Sequence, residues 1–228
     1  MRPFSKSLAV QIFVGTIQRL PQSARPSGIY KTRVNMPVYL NINGFEGDQQ
    51  ADLRVHGGPD KAVQLYPVAH YAALIKRFPE LLGKLAPGAI GENISCPDLN
   101  EQEVHIGDLW QLGEALLQIT QPRSPCSKID EKLDCKGVAA YIAQSSKTGW
   151  YFRVLEPGMV TAENRLVLVE SGNEHYRLCS ILSLMQQNES AAIGALQRCL
   201  MAPGIADNLR LKIEQKIVHL NRASTGTP

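Results

Sequence analysis

The sequence predicts a mainly β domain, of barrel or sandwich type, followed by a small segment of three helices. Three observations carry this expectation. Short apolar stretches with a period near two recur up to about residue 170, each closed by Gly, Pro or Asn, as strands joined by tight turns are. Helical periodicity is sparse over the same span. Beyond Ser171-Gly172-Asn173 the apolar period changes to that of helices. Many short strands with few helices fit a barrel or a sandwich. Small barrels fill their interiors with side chains and carry chemistry on rim loops, so candidate sites are sought where strands end.

The strands follow in order. Val10 to Ile17 alternates through Val10, Ile12 and Val14, and Ile29–Val34, Val38–Ile42 and Ala62–Tyr66 continue the pattern. A helix interrupts over Pro67–Leu82. Pro67 suits its first turn, and Tyr71, Leu74, Ile75 and Phe78 share a face until Pro79 perturbs it. Glu92–Ser95 follows, then Leu109–Leu112 and Ala115–Thr120 joined at Gly113-Glu114 as a hairpin. Pro122-Arg123-Ser124-Pro125 stops that last strand. A short helix over Val138–Ser145 precedes strands Trp150–Leu155 and Leu166–Glu170. The tail reads as helices over His175–Met185, Glu189–Leu200 and Asn208–Leu220, separated at Asn188 and Pro203-Gly204. In the last of these Leu209, Ile213, Ile217 and Leu220 share a face, and Asp207 is placed to cap it. The expected division is a β domain over 1–171 and a helical segment over 172–228.

Composition narrows the function classes. Hydrophobic residues make up 44% of the chain, enough for a buried core. A formal net charge of +3 is too mild for the basic face that nucleic acid needs, though one Arg/Lys cluster can still hold a small anion. No apolar run approaches the roughly 20 residues of a membrane span, and Met1–Leu8 lacks a secretory pattern, so the expectation is a cytoplasmic protein without nucleic-acid or membrane partners. The five cysteines are widely spaced with no C-x-x-C pair, which argues for reduced thiols and against zinc ribbons and iron–sulfur sites. Flavin, nicotinamide and P-loop signatures are absent, so redox chemistry here needs a separate electron donor.

Three clusters fall at strand ends. Gly44-Phe45-Glu46-Gly47-Asp48 leads to Arg54-Val55-His56-Gly57-Gly58-Pro59-Asp60-Lys61; Gly88-Ala89-Ile90-Gly91-Glu92-Asn93 is the second; Gln121-Pro122-Arg123-Ser124-Pro125-Cys126-Ser127-Lys128 is the third. The third is the sharpest. Two prolines stiffen a loop that presents Cys126 beside Arg123 and Lys128, and positive neighbours raise the thiolate fraction of a thiol. A thiolate ligates soft metals or attacks electrophiles; the plain alternative is an inert thiol in a tight turn. His56-Gly57-Gly58 with Lys61 offers an imidazole and a close-approach backbone for an anion, or simply a Gly-rich turn. His70 and Glu80, beside the Pro67–Leu82 helix, read as solvated, His105 as part of a turn, and Cys96, Cys135, Cys179 and Cys199 as structural.

Taken in order, Glu46-Gly47-Asp48, His56-Gly57-Gly58…Lys61-Ala62-Val63, Gly91-Glu92-Asn93, Gly107-Asp108 and Arg123-Ser124-Pro125-Cys126 resemble the MOSC family, named for the C-terminal domain of molybdenum-cofactor sulfurases. The run from Gln121 to Cys126 is similar to its YiiM-type branch. The resemblance covers about Val10 to Glu170 and, less specifically, a three-helix appendage; it departs at Ala162-Glu163-Asn164, where relatives often carry a Gly-Asp turn. It implies a barrel-like MOSC domain that binds a molybdenum cofactor of the molybdopterin type. Cys126 would be the molybdenum ligand, and His56, Gly57, Gly58, Lys61, Asn93, Arg123 and Ser124 would hold the pterin and its phosphate. The implied activity is reduction of small N-hydroxylated compounds, such as hydroxylamino-purine base analogues, with Cys126 and His56 as the catalytic pair and a separate reductase as electron donor. The family also carries a domain-level association with pyridoxal phosphate, although no pyridoxal-phosphate domain is visible in this chain. Three other readings stand beside this one: a sulfur carrier with a Cys126 persulfide, a cysteine hydrolase pairing Cys126 with His56, and a cofactor carrier without turnover. The apolar C-terminal helices leave a homodimer open.

Overall fold

The computed structural model describes residues 6–53 and 57–225. Fourteen strands occur among them: β1 (Ser7–Ala9), β2 (Gln11–Val14), β3 (Gln18–Arg19), β4 (Pro26–Ser27), β5 (Thr32–Arg33), β6 (Val38–Asn41), β7 (Gly44–Phe45), β8 (Val63–Pro67), β9 (Ile94–Cys96), β10 (Leu109–Leu112), β11 (Ala115–Pro122), β12 (Trp150–Glu156), β13 (Gly158–Val160) and β14 (Arg165–Glu170). The α-helices are α1 (His70–Arg77), α2 (Lys128–Leu133), α3 (Val138–Gln144), α4 (Leu178–Gln186), α5 (Ile193–Cys199) and α6 (Asp207–Thr225).

Nine strands form one sheet in the order β1-β14-β10-β11-β12-β8-β9-β2-β5, β13-β6-β7 form a second, and β3-β4 pair separately. All pairs are antiparallel except β8 with β9, which lie parallel with Leu65 opposite Ile94. The expected barrel-like domain is met as a sheet-rich fold, not as a barrel. The nine-strand ladder ends at β1 and β5, and among the described residues no pairing joins those ends. Its end strands hold three and two residues, too few to carry the continuous staggered ladder that closure requires.

Burial explains the central strands. All five residues of β8 are buried, so it has two covered faces. Val63 and Leu65 join a core with Trp110, Trp150 and Phe152, while Tyr66 joins a second core with Tyr71, Leu74, Phe78, Ile129 and Val138. Leu178, Ile181, Leu196, Leu209 and Ile213 from α4, α5 and α6 belong to the first core, so the C-terminal helices share the apolar interior of the sheet. Pro67 ends β8 instead of opening the helix, which starts at His70. Tyr66 and the Pro67 carbonyl side are held by the β9 pairing, and this outweighs the preference of proline for a first helical turn. The departure at Ala162-Glu163-Asn164 forms a turn in which the Asn164 side chain accepts from the Thr161 amide at 2.7 Å.

Candidate functional site

The loops that follow β4, β7 and β11 and the loop that leads into β9 converge at one end of β8. They enclose a cleft of about 580 Å³, counting its open mouth, lined among others by Lys31, Asp48, Gln64, Arg123, Cys126 and Tyr151. A second, wider cavity lies between the Gly57–Lys61 turn, the Cys126 loop and the start of α6. Lys61, Cys126 and Tyr151 line both, so Cys126 stands at the seam between them.

Cys126 is partly exposed, whereas Cys96, Cys135 and Cys199 are buried. Burial pushes the Cys96 and Cys135 thiols up to about 11, which keeps them protonated and inert. Cys126 is held by its backbone: its carbonyl accepts the Ile129 amide at 3.0 Å as α2 begins. Upstream, the Arg123 amide donates to the Gly149 carbonyl at 3.0 Å, so both ends of the Pro-bracketed loop are tied to the fold. Among the described residues no group of three or more His, Cys, Asp or Glu side chains gathers as a metal site. A metal at Cys126 therefore needs donors beyond those residues.

The cleft is basic. Arg123 donates to the Ile90 carbonyl at 2.9 Å and to Gln64 Oε1 at 3.3 Å, which fixes its plane and leaves further N–H groups of the guanidinium for an anion. Lys31 lies at the floor with its side chain 5% exposed and pairs with Asp48 at 2.5 Å. Burial lowers its pKa, and Asp48 opposes that shift. Desolvation and then the Lys212 ammonium lower Lys61 as well. Burial raises the Tyr151 hydroxyl, and the Arg123 guanidinium opposes that shift.

The Gly88–Asn93 loop is a rigid wall. Glu92 is fully buried and accepts from the Tyr71 hydroxyl, the Gly88 amide (2.6 Å), the Ile90 amide (3.1 Å) and the Ser95 hydroxyl (2.7 Å). Lys132 caps the same loop from α2, donating to the carbonyls of Ile29, Gly88 and Ala89, and burial brings its pKa down to about 8.

The expected site residues divide. Lys61, Arg123 and Cys126 meet at the cleft, and Gly57, Gly58 and Ser124 line the second cavity. At Gly58 φ is +93° and an added Cβ would meet nothing within 4 Å, so its backbone faces open space. Asn93 also lines the cleft, but its amide is spent inside the protein. It accepts from the Gln64 amide at 3.1 Å and donates to Asp48 at 2.9 Å and to the Phe13 carbonyl at 3.2 Å, which makes it a positioning residue for the floor. Ser124 accepts from Lys212 Nζ at 2.9 Å. His56 lies outside the described residues. His70, read as solvated, is instead buried with Nε2 2.7 Å from Glu101, whose other oxygen accepts the Gly149 amide. Glu80 is exposed as expected. Lys31, Gln64, Tyr151 and Lys212 were not foreseen as site residues. Each lies in a strand, a loop or a helix with no local signature, and only long-range pairing brings it to Cys126.

A family model described as MOSC domain matches residues 52–167. Protein YiiM of Escherichia coli (strain K12) is 41% identical over 160 residues, covering 70% of this chain and 71% of that protein. Uncharacterized protein YflK of Bacillus subtilis (strain 168) is 36% identical over 191 residues, covering 83% of this chain and 84% of that one. A protein named Reductase from Gibberella moniliformis is 27% identical over 78% of this chain, which spans 31% of that longer protein. The crystal structure of YiiM from Escherichia coli superposes with a TM-score of 0.76 at 27% identity over 93% of both chains.

Proposed function

The chain belongs to the MOSC domain family, and on that premise we propose that it binds a molybdenum–pterin cofactor through Cys126 and reduces small N-hydroxylated compounds to amines. The observation that carries the reading is one partly exposed thiol at the seam of two cavities, over a cleft lined by Arg123 and Lys61. Molybdenum favours a protein thiolate among sulfur donors, and a pterin phosphate favours guanidinium and ammonium donors. The residues present fit both demands, with the Cys126 thiol for the metal and Arg123 and Lys61 for the anion. When bound, the cofactor supplies the two-electron, oxygen-accepting chemistry.

The chain's own residues do the rest. Arg123, held flat by Ile90 and Gln64, orients the anionic end, and Lys61 adds positive potential at the rim, while Asp48 matches the charge of Lys31 at the floor. The Gly88–Asn93 loop walls the cleft, and Tyr151 lines both cavities with the thiol. His56 completes the proton supply to the leaving amine in this reading. Electrons come from a separate reductase. The similarity to the Gibberella protein named Reductase supports a reductive role.

Metal analysis by mass spectrometry on the protein and its Cys126→Ala variant, both made in a host that produces the cofactor, tests the assignment. Near-stoichiometric molybdenum in the parent and none in the variant is expected, with loss of N-hydroxylated substrate reduction. Full activity in Cys126→Ser sinks the ligand role. No molybdenum in either protein, together with a persulfide mass shift on Cys126, replaces the reductase by a sulfur carrier.

A further inference from the structure

Strand β11 breaks its ladder at one residue. Its register against β12 sets Ile119 opposite Phe152 and Gln121 opposite Tyr151, so Thr120, fully buried, is the extra residue of a bulge. A bulge takes a residue out of the strand alternation and re-aims it. The Thr120 hydroxyl donates to the Asp60 carbonyl at 2.7 Å, and the Thr120 carbonyl accepts the Ala206 amide at 3.1 Å. Asp60 belongs to the Gly57–Lys61 turn and Ala206 directly precedes α6, and that turn and the start of α6 both line the second cavity. A second tie runs beside the first. Arg153, opposite Gln118 in the ladder, donates from Nε to Asp60 Oδ1 at 2.8 Å and from Nη1 to Gln118 Oε1 at 3.1 Å. The Gln118 amide rests on Gly204, where an added Cβ would lie 2.3 Å from its oxygen. Two consecutive glycines leave the turn supple, so its place is set from outside.

We propose that Thr120, backed by Arg153, is a positioning residue: its hydroxyl fixes the Gly57–Lys61 turn, and with it Lys61, relative to α6 across the second cavity. The consequence for the cofactor rests on the reading of Lys61 as a partner of its anionic end. Thr120 acts only through the turn.

Hydrogen exchange resolved to single amides tests this on protein from a cofactor-producing host, with molybdenum per chain measured after gel filtration. Thr120→Val removes the hydroxyl at nearly constant shape, and Thr120→Ser keeps it. The Lys61 amide, bonded to the Gly58 carbonyl, is expected to exchange about tenfold faster in Thr120→Val. The Ala206 amide, bonded to the retained carbonyl, should keep the parental rate. Molybdenum content should fall with the Lys61 protection, and Thr120→Ser should return both to parental values. Equal acceleration at Lys61 and Ala206 is general loosening and overturns the proposal. So does an unchanged Lys61 rate in Thr120→Val, no recovery in Thr120→Ser, or full molybdenum retention despite the faster Lys61 amide. If Thr120→Val does not fold, Arg153→Gln, on a partly exposed side chain, decides by the same two amides, and an unchanged Lys61 rate there overturns the tie. A parent without molybdenum removes the cofactor reading, while the Lys61 and Ala206 rates still decide whether Thr120 holds the turn.

Discussion

Glu131 on α2 shows what one clasp contributes to the frame of the site. The Arg25 guanidinium donates to it at 2.9 Å, the Ser23 amide at 2.6 Å and the Ser23 hydroxyl at 2.8 Å, and these bonds hold its carboxyl down to about 2, from 4.5. The folded pKa is depressed, so the stabilisation is present above the unfolded pKa of 4.5 and is lost as pH falls from there toward 2. Glu131→Gln should therefore be less stable than the parent at pH 6, with the gap in urea midpoints narrowing by pH 3. A gap that stays constant over that range removes the clasp as a pH-dependent element. At this scale the sequence was informative where the chemistry is local. Cys126 and Arg123 declare themselves through the two prolines around them, whereas Lys31 and Gln64 become site residues only when strands far apart in sequence meet. The family resemblance implies a cofactor-holding role for Asn93, but its partners Asp48 and Phe13 lie far upstream and are not legible in the motif.

At the scale of the element, the regular strands were legible and the short ones were not. Leu109–Leu112 appears as expected because apolar residues alternate against a tight turn at Gly113, and β12 begins at Trp150 for the same reason. The strands β3, β4, β5 and β7 hold two residues each, too few to show any period. Helix α2 is equally hidden, since its six residues follow directly on the Cys126 loop. The Gly88–Asn93 loop makes a sharper prediction. Gly91 has φ +87°, and an added Cβ would lie 2.7 Å from Ile29 Cγ1. Gly91→Ala combines backbone strain with a clash and should cost about 1–3 kcal/mol in urea unfolding. It should also loosen the Ile90 carbonyl from Arg123, and under the proposed cofactor role the variant should then retain less molybdenum after gel filtration than the parent. Unchanged stability would show that the loop tolerates the shift and is no rigid wall.

At the scale of the molecule, the change of pattern near residue 172 suggests two units, and the contacts across that junction bear on whether they unfold as one. The Gly172 amide donates to Asp108 at 2.6 Å, and a Cβ there would meet the Ile106 carbonyl at 2.8 Å. The Ile106 amide donates to the Tyr176 carbonyl at 2.9 Å, the Leu178 amide to Val104 at 2.9 Å and the Ala206 amide to Thr120 at 3.1 Å. Ile213 of α6, fully buried, packs in the same core as Trp110 and Trp150. Ile213→Ala should then cost about 2–5 kcal/mol, as a cavity in a shared core does. The loss should register equally in tryptophan fluorescence, which reports the sheet, and in far-UV circular dichroism, which reports the helices, because one cooperative unit gives coincident transitions with any probe. Helical signal lost at lower urea than the fluorescence, in the parent or in the variant, would instead make the tail a unit of its own. In that case α6, and with it Lys212 beside Ser124, would detach from the second cavity at urea concentrations that leave both tryptophans buried.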